Sequence, residues 1–567
     1  MWEIGIAKKE ITTYQEGKGL FGYGMWFQKA KGALTDLHAR AFVFRSNGKV
    51  FAMVCCELGM ISTYLKHSVV ASIQNLLPNE NWSDANIMIS AQHTHSGPAG
   101  FTQYPFYNIL VPGFQAKIFD DLHKGIVDAI IEAYGKLEKG SIKYAFKNFD
   151  KNTKIAINRS VDAYNANPEV KPTGIFDALD KRMRLMRFED ENGNLKGSYN
   201  WFGIHTTSMP NTNNHIHFDN KGYAAAIHEE EYKENPDFVS AFAQEKCGDV
   251  TPNYLWDKEL RRTRGPHKSG DKNALHTGEQ QYKHASQLLK EAKKDGIQLS
   301  PQLDYGLMYV DFSDVEANPI FANGKTNAHT TSACLGASFF CGTAEGPGTQ
   351  NNFESFTVKS TAWLTNRFEQ VAFGLFGSKT YRTEMKGRYK NQLPKAIMMD
   401  AGRGVLNGAK HPRKMIVPDV FDPSLALVKK ADREGALDKR PWIPHILPIQ
   451  LVIIGNIALA GIAAEITTIA GHRLANSIKK VLVKKGVEEV ILCPYSNAYN
   501  GYITTHQEYQ LQKYEGGHTV FGKWTLAAYQ TKFSQLANQM LKPETQRNFN
   551  PLVQPIVYNE NEVWVSS

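Results

Sequence analysis

Short runs in which apolar and polar residues alternate, broken by Asn-Gly pairs, mark the early part of the chain. Ala41–Arg45 and Val50–Cys55 flank Asn47-Gly48, and Arg184–Glu189 and Leu195–Ile204 flank Asn192-Gly193. Asn and Gly accept the positive φ that tight hairpin turns require, so each pair predicts two antiparallel strands. Leu451–Ala464 is 14 residues of mostly apolar sequence interrupted by Gly455-Asn456. It is too short to span a bilayer, which takes about 20 residues, and reads as a core hairpin. In Tyr64–Leu77, Gln115–Leu137 and Ile466–Val483 the apolar residues recur at three and four, the spacing of one helix face. The pattern predicts a mixed α and β (α+β) fold with a β-sheet core and flanking helices. No repeat, low-complexity segment or linker interrupts it. The final 26 residues, from Lys542, carry three prolines and end in a β-like Val563-Trp564-Val565, which reads as a tail or strapping strand.

The chain has 567 residues, 42% hydrophobic and 21% charged, values that exclude a disordered, collagen-like or membrane-embedded protein. Length alone suggests three or four domains of about 150 residues. The net charge of +9 permits peripheral contact with an anionic membrane surface. Its basic residues form short scattered groups such as Lys479-Lys480 and Lys484-Lys485, without a zinc-finger or RNA-binding signature, so no nucleic-acid partner is expected. Six irregularly spaced cysteines with no CxxC pair make neither a disulfide framework nor a thiolate zinc site; one or two disulfides stay open. Met1–Ala7 enters strand-like sequence directly, with no signal-peptide zones, and no transmembrane segment is visible. The chain is thus either cytoplasmic or a mature secreted form. Oligomeric state is left open.

Five segments offer chemistry. An apolar strand from Asn86 runs into His93-Thr-His95, and alternate strand residues share a face, so both imidazoles point one way from a strand end. Two hydrogen-bonded histidines are the plain alternative. A second apolar run from Tyr199 delivers His205, a third imidazole or a core histidine bonded to backbone. Glu465 stands where the core hairpin meets a helix, as a site carboxylate or a helix cap. Tyr495, Tyr499, Tyr502 and Tyr509 crowd a loop with Asn and Gly, either packing aromatically or presenting phenols to a cavity. Thr251 lies in Gly248-Asp-Val-Thr-Pro-Asn253, a hydroxyl in a tight turn.

Taken in this order, these segments resemble the neutral ceramidase family, the neutral/alkaline non-lysosomal ceramidases. The resemblance extends to Gly22-Tyr-Gly-Met25, His38-Ala-Arg-Ala-Phe42, Asn158-Arg-Ser160, Asp219-Asn-Lys-Gly-Tyr223 and Gly342-Thr-Ala-Glu-Gly-Pro-Gly348, covering about residues 4 to 533. It implies one Zn2+ held by His93, His205, Glu465 and Tyr502. It also places His95 in proton transfer or substrate-hydroxyl binding, Arg159 in polar-head contacts, Tyr514 in oxyanion or substrate hydrogen bonding, and Thr251 at the catalytic hydroxyl. Imidazole and carboxylate are ordinary zinc donors, and the phenolate is the unusual one.

The sequence departs from the family in having Thr251 where a serine is treated as catalytic, Glu57 and Glu345 where aspartates are expected, and His472 where arginine is expected. Family members also continue into an immunoglobulin-like domain of which this chain has at most a stub. The implied function is zinc-dependent hydrolysis of a lipid N-acyl amide, ceramide to sphingoid base and fatty acid. The alternatives are an amidase for another N-acyl lipid, such as an N-acyl amino acid or aminolipid, and a lipid-binding homologue without catalysis. Candidates at 93, 205, 251, 465 and 502 converge on one zinc only if most of the chain folds as one unit, which gives residues 1–541 as a single catalytic domain with 542–567 as its tail. The domain count implied by length falls accordingly.

Overall fold

The computed structural model describes residues 1–109, 111, 113–348, 352–415, 423–438, 441–556 and 563–565. Among them, a nine-stranded mixed sheet runs Val239–Ala243, Leu195–Trp201, Arg182–Asp190, Glu138–Asn148, Trp2–Glu10, His38–Ser46, Lys49–Cys56, Ile87–Ala91, with Ile297–Gln298 paired beside Glu138–Asn148. A four-stranded sheet runs Leu303–Asp311, Ile446–Ile454, Ile457–Ile462, Glu489–Cys493. The three Gly-containing turns form as expected. In each hairpin the Gly of the pair has φ between 62° and 81°, the left-handed region that a Cβ disfavours.

The two sheets pack face to face. Phe42, Phe44, Met53 and Met88 of the larger interleave with Val452, Ile454, Leu459 and Ile491 of the smaller. The alternate residues of the same strands, Ala41, Val43, Ala52 and Val54, face the other way against Leu65 and Val69 of the Thr63–Leu76 helix and Ile118 and Ile126 of Ala116–Gly135. The smaller sheet's outer face packs Ile449, Ala458 and Ala460 against Leu474 and Ile478 of Thr468–Leu482 and Phe533 and Leu536 of Thr525–Met540. Two further helices, Asp219–Glu231 and Gly270–Asp295, cover Met183 and Leu185. The result is the expected mixed α+β class, built as helix, sheet, sheet, helix.

Both sheets are largely antiparallel, but three neighbouring pairs run parallel, each joined by a crossover containing a helix: Lys49–Cys56 with Ile87–Ala91, Leu195–Trp201 with Val239–Ala243, and Ile457–Ile462 with Glu489–Cys493. Parallel strands bring their carboxyl ends to one edge, the usual place for a ligand site.

After Lys542, described residues contact the rest of the chain. Arg547 pairs with Asp304 at 2.8 Å, and the Phe114 amide donates to the Trp564 carbonyl at 2.6 Å. All six cysteines are free thiols, so the disulfides left open by the sequence do not form.

Candidate metal and active site

Every segment singled out in the sequence follows the carboxyl end of one of these parallel strands: His93 and His95 after Ile87–Ala91, His205 after Leu195–Trp201, Thr251 after Val239–Ala243, Glu465 after Ile457–Ile462, and Tyr495 to Tyr502 after Glu489–Cys493. Two short pairings complete the assembly. Glu465–Ile466 lies parallel to Tyr502–Ile503 with Glu465 opposite Tyr502, and Val250–Thr251 ladders with Ile157–Asn158, which brings in Arg159.

One local expectation changes. The strand ends at Ala91, and His93 adopts φ 71°, so His93 and His95 do not share a strand face. They meet because the turn folds them together, Nε2 to Nε2 at 3.0 Å. Gly22 makes room for this: a Cβ there would lie 2.5 Å from His95 Cγ.

The ring orientations are set from behind. His93 Nδ1 lies 2.6 Å from the Gly59 carbonyl, and His205 Nδ1 lies 2.7 Å from Cys247 O and 3.1 Å from Val250 O. A carbonyl only accepts, so each Nδ1 carries a proton and each Nε2 is the nitrogen turned to the centre. Those Nε2 atoms face Glu465, His93 at 3.4 Å from Oε1 and His205 at 3.1 Å from Oε2. The Tyr502 hydroxyl lies 3.3 Å from His205 Nε2. Glu465 is held by hydroxyl donors, Tyr499 at 2.5 Å and Tyr495 at 3.1 Å. Three of the four crowded tyrosines thus serve this centre. Tyr509 does not; it donates to the Gln392 carbonyl.

Glu465 is no helix cap. The amide and hydroxyl of Thr468 at the helix start are both bound by Asp249 at 2.8 Å. Burial pushes the Glu465 carboxyl up, and the imidazoles and the Tyr499 hydroxyl facing it more than offset this, leaving it ionised. Burial, opposed by Glu465, pushes His93 down to about 4. Burial and the neighbouring imidazoles of His93 and His205 likewise keep His95 neutral. Two imidazoles, one carboxylate and a phenol are donors that fit a divalent transition metal. His93, His95 and His205 also place ring nitrogens within 4.8 Å of one another, so His95 stands at the same centre. Its Nδ1 is buried without a hydrogen-bond partner among the described residues. A second grouping, His411 with Asp432 and Asp438, sits elsewhere and already has the Arg413 guanidinium 3.8 Å from Asp432.

Arg159 knits the other side together. It donates to Glu515 at 2.8 Å, Glu345 at 2.6 Å, the Gly248 carbonyl at 2.9 Å and the Tyr502 hydroxyl at 2.9 Å. The Tyr514 ring lies 5.4 Å from its guanidinium and meets Tyr502 edge-on at 5.6 Å. Thr251 donates to Glu345, which also accepts from Thr207 at 2.9 Å and Asn253 at 2.8 Å. Burial pushes Glu345 up, but Arg159 together with His205 and the Thr251 and Asn253 donors outweighs burial and holds it below the usual carboxylate range. Glu515, Thr207 and Tyr23, whose ring packs on His95 at 4.7 Å, belong to this assembly; Tyr23 lies in the Gly22–Met25 segment of the resemblance, but none of the three was assigned a role from the sequence. At the other departures, Glu57 pairs with Arg40 at 2.6 Å, and burial with the nearby Lys246 pushes His472 down to about 4.

Residues 2–420 and 430–531 match the family model for the N-terminal region of neutral/alkaline non-lysosomal ceramidases. The chain belongs to this family. It is 33% identical to neutral ceramidase B of Dictyostelium discoideum, covering 96% of this chain and 73% of the relative. It is 32% identical to the neutral ceramidase of Pseudomonas aeruginosa over 94% of this chain and 72% of that one. A crystal structure of the P. aeruginosa neutral ceramidase superposes with TM-score 0.75 at 30% identity, covering 94% of this chain and 74% of that one. A structure titled ceramidase complexed with C2 superposes with TM-score 0.77 over the same shares. These relatives place the chain among hydrolases of amide bonds.

Proposed function

We propose that this protein is a zinc-dependent amidohydrolase that cleaves the N-acyl bond of a lipid, with ceramide as the leading substrate. The observation that carries the reading is the convergence of the His93 and His205 Nε2 atoms, each ring fixed by an Nδ1–H bonded to a carbonyl, on the Glu465 carboxylate. His93, His205, Glu465 and Tyr502 would hold the zinc. Zinc bound there would supply a Lewis acid for the amide carbonyl and lower the pKa of a coordinated water.

The other roles follow from the chain's own groups. Neutral His95 has an uncommitted Nδ1 and takes or delivers a proton beside the reacting carbon. Tyr514, a protonated phenol because burial and Glu465 raise it, offers a hydrogen bond to the developing oxyanion. Arg159 has four acceptors within the protein, which makes it an anchor for Tyr502 and Glu345 more than a free contact for a head group. The Thr251 hydroxyl is committed to Glu345, so it orients neighbouring groups rather than attacking. Residues 1–541 act as one catalytic unit, supported by site residues drawn from His93 to Tyr514, with 542–567 as a strap.

The test is purified protein with a fluorescent short-chain ceramide, with and without chelator, beside a panel of N-acyl amino acids and aminolipids. Fatty-acid release that chelation stops and zinc restores is expected. The absence of zinc-dependent release from any N-acyl lipid overturns the proposal, and faster turnover of the other amides than of ceramide replaces its substrate.

A further inference from the structure

The Asn352–Phe376 helix packs the wrong way round for a helix on a water-soluble protein. Its outward face carries Phe356, Trp363, Leu364, Phe368, Val371 and Leu375, at the three, four and seven spacing of one helix face, with Phe368 75% and Trp363 52% exposed. Its inward face has Ala362 and Asn366, both buried, and Asn366 hydrogen-bonds the amide and carbonyl of Ile397. A contiguous apolar face of this size marks an interaction site.

Charge says what it fits. This helix and the following Lys379–Gln392 helix expose six cations, Lys359, Arg367, Lys379, Arg382, Lys386 and Lys390, against a single exposed carboxylate, Glu384, among the described residues. Apolar side chains bordered by cations, with Arg367 lying over the Trp363 ring at 5.2 Å, match the boundary between acyl chains and anionic head groups.

The surface is also linked to the candidate site by neighbouring residues. A groove of about 630 Å³ lies between Phe356, Trp363 and Leu364 on one side and Ala337, Ser338 and Leu511 on the other. Phe339, next in sequence to the groove, packs on Tyr514 at 5.4 Å. The loop leading into the helix holds Glu345, which bonds Thr251 and Arg159. From the same loop, Ala344 accepts from Thr263 at 2.7 Å, in a hairpin that exposes Leu255 and Trp256.

We propose that the outward face of the Asn352–Phe376 helix, with the cationic helix beside it, docks the protein on an anionic lipid bilayer next to its site. The placement of this face beside the chemistry rests on the lipid-amidase reading; the docking itself does not. The experiment is co-sedimentation with phosphatidylcholine vesicles, with and without phosphatidylserine, across a salt series. Wild-type protein should bind the phosphatidylserine vesicles and lose binding as salt rises. Trp363→Ser with Phe368→Ser should lower the partition coefficient about 100-fold, about tenfold per side chain or about 1.4 kcal/mol each. Lys379→Glu with Lys386→Glu should abolish the preference for phosphatidylserine. Both variants should keep the wild-type urea midpoint and hydrolyse dispersed short-chain ceramide normally while losing ceramide held in vesicles. Vesicle binding unchanged by either pair overturns the proposal, as does a wild-type protein that ignores vesicles. A dimer that the apolar pair converts to monomer would assign the face to a second copy instead. Docking without hydrolysis of any N-acyl lipid would sink the functional reading and leave this one standing.

Discussion

Replacing Arg159 with Met removes a guanidinium that four acceptors share, and leaves Glu345 and Glu515, both buried, without their cation. Breaking a buried pair from one side costs about 3–5 kcal/mol, because an uncompensated charge remains in a poorly polarisable interior. The pH dependence gives the sharper test. In the wild type, burial raises Glu345, and Arg159 together with His205 and the Thr251 and Asn253 donors more than offsets it, so the folded-state pKa lies below the ordinary carboxylate value. Such a group adds stability that is fully present above the ordinary value and is lost as pH falls through the lowered one. Without Arg159 burial dominates, the folded pKa rises above the ordinary value, and the ionised group becomes a cost at neutral pH that protonation relieves. The stability deficit of Arg159→Met in urea unfolding should therefore be largest at neutral pH and shrink on acidification through the carboxylate range. Adding Glu345→Gln and Glu515→Gln should recover much of it without restoring turnover. A deficit under about 1 kcal/mol, the size of a surface pair, or one that grows on acidification, would show that Arg159 does not hold Glu345 ionised.

Metal removal should lower the melting temperature as well as the activity: a ligand at a thousandfold over its dissociation constant stabilises by about 4 kcal/mol, and His205→Ala should make the melt insensitive to chelator. Elemental analysis of the same samples should find the zinc lost with the shift. For Thr251, Ser should keep turnover within about tenfold, whereas Val removes one bond to the charged Glu345, worth about 1.5–3 kcal/mol, and should cost more in kcat/KM; a Ser variant as poor as Val would count against an orienting role. Burial pushes Lys221 and Lys395 down from 10.5 to about 7, so between those values the unfolded chain binds more protons and stability should rise with pH, by about 1.4 kcal/mol per unit per lysine. Lys395→Met should flatten that slope in unfolding measured at pH values across the window; an unchanged slope would show that Lys395 is not the group titrating.

Local chemistry was legible in the sequence where a residue type answers a local demand. Asn47-Gly48, Asn192-Gly193 and Gly455-Asn456 specify turns because few other residues accept their backbone angles, and all three hairpins form there. His93, His205 and Glu465 stood out because polar groups at the ends of apolar strands need partners. Their convergence was not legible, since it depends on which strands lie parallel and on the register of Glu465 opposite Tyr502, pairings between segments far apart in the chain. Nor could alternation along a strand foresee that His93 leaves the strand at φ 71° before its ring meets His95. The roles of Glu515, Thr207 and Tyr23 were invisible for the same reason: each is an ordinary polar residue until tertiary contacts set it beside Arg159, Glu345 or His95.

Periodicity locates an apolar face without saying what that face meets. In Ala116–Gly135 the residues Ile118, Leu122, Ile126 and Ile130 recur at four and turn into the core. In Asn352–Phe376 an equally regular set turns outward, and the core takes Ala362 and Asn366. What separates the two is the opposite face. Behind the first helix's apolar stripe lie Asp120, Lys124 and Asp128, charges that water must solvate, whereas the second offers a small residue and an amide that satisfies the backbone of Ile397. A helix whose polar side finds its partners inside the protein leaves its apolar side to meet something else. In a chain whose relatives are ceramidases, with cations bordering that side, a lipid surface is the partner whose chemistry matches.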